Sequence, residues 1–162
     1  FLRAAGMIGP DLSERDSALV FAWSRMTVLE ARTEVGHLRQ ECVPFEGFLE
    51  AICRLSALKA LPLDSEIKSS KMSNAGAYLE DLRLNYTEAF NALVKERARP
   101  WGAPPSQPLH RCVDHLVSMF VRAISPDGSE WSDGEKGVSP AEMKAWMDRE
   151  LKASEEERGG GK

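Results

Sequence analysis

VPFEGFLEAICRLSALK, residues Val43 to Lys59, is the stretch whose reading decides the fold. Phe45, Phe48, Leu49, Ile52 and Leu55 recur at i, i+3, i+4, i+7 and onward, the period of one helix face. Pro44 stands where a helix tolerates proline, at its first turn, because the N–H it lacks would have no partner there. Pro62 lies just beyond, so the helix is expected to end near Lys59. Upstream, Ser13 and Asp16 form a capping-box pattern with Asp in place of the usual Glu. Leu19, Val20, Trp23 and Met26 continue at helical spacing, which predicts a helix over 13–29. Gly36 and Val43-Pro44 bracket a break between these two helices.

Downstream, Asp64 to Asn74 is polar and Ser-rich and reads as a linker. Ala75 to Arg97 reads as one long helix, with Leu79, Leu82, Tyr86, Phe90 and Leu93 on its apolar side. RPWGAPPSQP, Arg99 to Pro108, is kept irregular by proline and glycine. Leu109, Val113, Leu116, Val117, Phe120, Val121 and Ile124 then follow the 3.6-residue period and predict a helix over 109–124. A loop rich in Asp, Gly and Ser runs to Val138. Ser139-Pro140 opens a last helix to about Lys152, with Met143, Trp146, Met147 and Leu151 on one side. The tail SEEERGGGK has the composition of a disordered end. No β-rich segment appears, so the expected class is all-α. The expected organisation is a helix pair over 1–62, a linker with a long helix over 63–108, a helix-loop-helix over 109–153 and a tail over 154–162.

The bulk composition narrows the function. With 162 residues, 43% of them hydrophobic, the chain can bury one compact core or two small halves. A net charge of -4 argues against a basic nucleic-acid face. No apolar run is long enough to span a bilayer. Three cysteines, Cys42, Cys53 and Cys112, sit among apolar neighbours. An odd number of this kind reads as reduced, buried thiols and sets the expectation of an intracellular protein.

Residues 1 to 58, and more loosely 109 to 151, resemble the EF-hand (calmodulin-like) superfamily. The residues that carry the resemblance are Leu12-Ser13 with the helix to Met26, then Val43, Phe45, Phe48, Leu49 and Ile52, then Val138, Ser139 and Glu142. VFAWSRM followed by PFEGFLEAICRLS is also similar to degenerate EF-hand segments of flagellar and cytoskeletal proteins of algae and protists. An EF-hand loop wants side-chain oxygens at positions 1, 3, 5 and 12, with Gly at 6, and position 8 is apolar. With Val43 at position 8, Gly36, Leu38, Gln40 and Gly47 fall on the ligand positions, and no carboxylate is among them. With Leu12 at position 8, the ligand positions are Ala5, Met7, Gly9 and Asp16. Neither set would hold a hard divalent cation. With Val138 at position 8, Asp133, Glu135 and Glu142 fall on positions 3, 5 and 12, while Trp131 takes position 1 and Lys136 replaces the glycine. Calcium at this one remodelled loop is the alternative to a calcium-independent protein; otherwise no cofactor is expected.

Other chemistry is sparse. Cys112 and His115 are i, i+3 and His110 is close, but no second ligand pair follows at zinc spacing. No GxSxG, HExxH or phosphate-binding glycine loop is present, and no enzyme is expected. The expected function is a protein-binding or scaffold subunit of a larger assembly, in a cytoplasmic or ciliary/flagellar setting. Its partner would be an amphipathic helix or a cytoskeletal assembly, with no nucleic acid and no membrane span. The expected contact residues are Phe45, Phe48, Leu49, Ile52 and Leu55 in one half and Leu116, Val117, Phe120 and Val121 in the other. Trp101 and Trp131 would serve as exposed anchors. Two rivals are a calcium sensor acting through residues 131–142 and a helical accessory subunit of an organellar or membrane complex.

Overall fold

The computed structural model describes residues 1–25, 32–124 and 140–159. Helix α1 (Glu14–Ser24) begins at the expected capping box: the Ser13 hydroxyl accepts the Asp16 N–H, and the Asp16 carboxylate accepts the Ser13 N–H at 3.0 Å. It ends at Ser24, before the expected Leu29, because Arg25 is extended; Met26 and its neighbours to 31 lie outside the described residues. Helix α2 (Glu34–Glu41) follows, its start tied by the Thr33 hydroxyl accepting the Gly36 N–H at 3.0 Å. This corrects the expected break. Residues 36–41, the first half of the loop scored for calcium, are helical.

Helix α3 (Phe45–Leu58) runs over the expected range. Pro44 is its N-cap, and the Lys59 N–H closes it on the Leu55 carbonyl at 2.9 Å. The polar stretch read as a linker is corrected to a helix, α4 (Asp64–Ser70). Its first turn carries Asp64 and Glu66, which suit the positive end of the helix dipole. The Glu66 carboxylate also accepts the Leu63 N–H at 2.6 Å. Lys71, at φ +60°, turns the chain out of the helix.

The single long helix expected over 75–97 is two: α5 (Ala75–Asn85), capped by Asn74, and α6 (Thr87–Arg97). Tyr86 breaks them at φ −138°, ψ 57°. Its N–H still closes α5 on Leu82, and its carbonyl opens α6 on Phe90. Helix α7 (Leu109–Ile124) matches its expected range. Helix α8 (Pro140–Gly159) runs beyond Lys152 and takes in residues read as the disordered tail.

These are the eight helices of the described residues, and no named strand joins them. An isolated bridge pairs Gly9 with Leu12; among the described residues none pairs Leu12 with Val43, the contact that two facing EF-hand loops would make. Helix α3 packs on α7 and on α1, and α7 packs on α5 along a second line, with α6 folded back on α5. Leu12, Val20, Leu55, Leu58, Leu61, Leu116 and Phe120 form the main core, which Trp146 of α8 joins. A second cluster, Ala60, Leu79, Leu82, Leu93 and Val94, is linked to it through Met119. Fully burying each large aliphatic side chain contributes about 1.5–3 kcal/mol.

Residues from 1–62 and 109–153 share one core, and α5, from the stretch read as a linker with a long helix, packs directly on α7. Gly76 permits that approach: a Cβ there would lie 2.8 Å from the Ser118 carbonyl oxygen.

Candidate functional site

The apolar stripe of α3 is divided by its surroundings. Leu55 is buried and Ile52 is packed against the core. One turn earlier the cover stops: Phe45 is 70% exposed, and Phe48 and Leu49 are 47% exposed. The cause lies at Gly47, which is buried where the end of α1 crosses α3. Contact there fixes the first turn of α3 on one side and leaves the opposite side open. The result is a ridge of three large apolar side chains at i, i+3 and i+4, held on a helix anchored at its other end.

A second exposed aromatic group lies on α1. Trp23 is 64% exposed, and its ring centroid is 6.1 Å from that of Trp101. The Arg54 guanidinium lies 5.7 Å from the Trp23 ring and is paired with Glu50 one turn before it on α3. The Trp101 indole N–H donates to Asp16 at 3.0 Å, which bends the proline-rich segment back onto α1. Hydrogen bonds from the Ser13 side chain and then from Trp101 hold the Asp16 carboxyl below its ordinary range. Sequence periodicity places Trp23 on the inward stripe of α1. The stripe that turns inward is Val20 and Ser24 instead. No local signal marks Trp23 as outward, because the ring it meets, Trp101, lies on a loop far along the chain.

The second-half contact residues are elsewhere. Leu116 is 1% exposed and Phe120 is 7% exposed, both in the core that α3 and α7 share, so they line no open groove. Val117 and Val121 are half-buried. Trp131, Asp133 and Glu135 lie outside the described residues, and so does the Glu142 side chain, although its backbone belongs to α8. Among the described residues no three His, Cys, Asp or Glu side chains gather where they could share a metal ion.

Cys112 and His115, weighed for zinc, have other partners. His115 is buried, with Nδ1 3.0 Å from the Pro62 carbonyl oxygen and Nε2 2.9 Å from Asp64. Arg111 donates twice to the same carboxylate, at 2.8 and 2.6 Å, and this holds the Asp64 carboxyl below its ordinary range. Gln107 donates to the Pro62 carbonyl at 3.0 Å. The Cys112 thiol faces the Gln107 carbonyl at 3.6 Å, and burial pushes its pKa up, the reverse of what an activated thiolate needs. This network ties α4 and the proline-rich segment to α7. The expectation of buried cysteines is met at Cys112; Cys42 is exposed and Cys53 half-buried, and all three are free thiols.

Among the described residues no helix is long and apolar enough to cross a membrane. Comparison with family models, with curated proteins and with solved structures gives no match for this chain.

Proposed function

We propose that the chain is a non-catalytic protein-binding or scaffold subunit of a larger assembly, acting without calcium through the N-terminal half of α3. The observation that carries this reading is the joint exposure of Phe45, Phe48 and Leu49 on one helix face. Isolated exposed apolar residues are ordinary, but three together on one ridge suit the seam of a helix–helix contact. An amphipathic helix laid across them would complete the half-covered stripe. Trp23, set beside Trp101 and Arg54, offers the kind of aromatic anchor that binding surfaces favour. EF-hand ancestry and a cytoskeletal or ciliary setting are carried by the resemblance alone.

The test is a comparison of partners captured by the full chain and by its Phe45→Ser/Phe48→Ser variant. Exposed positions predict that the variant melts within about 0.5 kcal/mol of the parent for each substitution. A partner held by the parent and released by this folded variant is the expected result. Equal capture by both proteins would place the interface elsewhere and sink the reading.

A further inference from the structure

A cleft of about 140 Å³ opens beside the N-terminal segment, between the end of α3 and helices α5, α6 and α7. Leu79, Phe90, Val94 and Met119 give it an apolar wall. Five charged side chains also reach it: Asp11, Lys59, Glu80, Arg83 and Arg122. Four of them are engaged. Asp11 accepts from Lys59 Nζ at 3.0 Å and from the Ala60 N–H at 2.9 Å, and Lys59 donates again to the Met7 carbonyl at 2.8 Å. Glu80 is paired with Arg122. The Arg83 guanidinium has no hydrogen bond or ion pair among the described residues. The cleft therefore combines an apolar wall with one uncompensated charge, and that charge is positive.

We propose that this cleft binds a small organic anion, a carboxylate carried on an apolar body the size of one six-membered ring. The size follows from volume, since an engineered apolar cavity of about 150 Å³ accepts benzene. The anionic group follows from Arg83, whose planar fork matches a carboxylate through two parallel hydrogen bonds. A cation would meet Arg83 unfavourably, and the carboxylates of Asp11 and Glu80 already have partners. A bare inorganic anion would leave the wall of Leu79, Phe90 and Val94 in water. This site is separate from the α3 ridge, so either proposal can fail without the other.

The experiment is a titration of the full chain with sodium benzoate, benzamide and benzylammonium chloride at matched ionic strength. The readout is the Met119 methyl resonance, which reports the wall, alongside the melting temperature. Benzoate is expected to shift this resonance saturably and to raise the melting temperature. Benzamide is expected to bind at least about tenfold more weakly, the scale of one hydrogen bond to a charged group, and benzylammonium not measurably. Arg83 is exposed and makes no contact that folding requires, so Arg83→Gln should fold and bring benzoate down to the affinity of benzamide. The proposal is overturned if benzoate gives no saturable shift up to its solubility limit. It is equally overturned if the three probes bind alike, or if Arg83→Gln leaves benzoate binding unchanged.

Discussion

Replacing Gly47 by alanine tests the contact that orients α3. In an ordinary helix interior this change stabilises, because alanine is preferred over glycine by about 0.8–1.0 kcal/mol. Gly47 is not an ordinary position. An added Cβ would lie 2.3 Å from the Ser24 carbonyl oxygen, and the Val43 and Pro44 side chains stand at 3.0 and 3.3 Å. The nearest atom is backbone, so relief requires α1 to move away from α3. Over-packing of this kind costs about 1–3 kcal/mol. Set against the gain in propensity, the net loss is at most about 2 kcal/mol, which for a chain of this length lowers the melting temperature by at most about 8 °C. Thermal unfolding followed by circular dichroism, with urea unfolding to obtain the free energy, measures it. The movement should also change the emission of Trp23, one residue from the contact. A Gly47→Ala protein more stable than the parent would show that α1 does not cross α3 at this point. The open ridge at Phe45, Phe48 and Leu49 would then lose its structural basis.

Two further outcomes follow from the charged pairs. Asp11→Ala removes the partner of a buried Lys59 and leaves the Ala60 N–H without an acceptor; the expected loss is about 3–5 kcal/mol. Urea unfolding checks it, and the Asp11→Ala/Lys59→Met double variant should recover the part due to the unpaired charge while the Ala60 N–H stays without its acceptor. Asp64 titrates below its ordinary value of 3.8, chiefly through its hydrogen bonds with Arg111. A carboxyl with a lowered folded pKa contributes stability above its unfolded pKa, about 3.9, and that stability is lost as the pH falls through the folded value. The parent should therefore lose stability more steeply than Asp64→Asn below about pH 4, the two curves converging in stronger acid. Parallel curves from neutral pH down to the acid limit would mean that the pairs of Asp64 with Arg111 and His115 do not form.

Much of the local structure was legible in the sequence. The Ser13–Asp16 box starts α1, Pro44 starts α3, and the apolar period of 109–124 delimits α7, because caps, proline and periodicity act within a few residues of chain. The all-helical class follows from the same local signals. Other features depended on residues far away in sequence. Helix α4 is short and polar, and Arg97 and Arg111, more than thirty residues on, hold Glu66 and Asp64 in place. Neither Pro nor Gly marks the turn at Tyr86. The break lets α6 fold back so that Leu93 and Val94 reach Leu79 and Leu82, a gain that appears only once α5 lies on α7. The candidate surface divides in the same way. Helical spacing put Phe45, Phe48, Leu49, Ile52, Leu116 and Phe120 on apolar faces, and periodicity stops there. It identifies a face that avoids water but not what covers it. Packing decided that α7 would cover Ile52 and Leu55, that Leu116 and Phe120 would be used up in the shared core, and that Phe45, Phe48 and Leu49 would stay open.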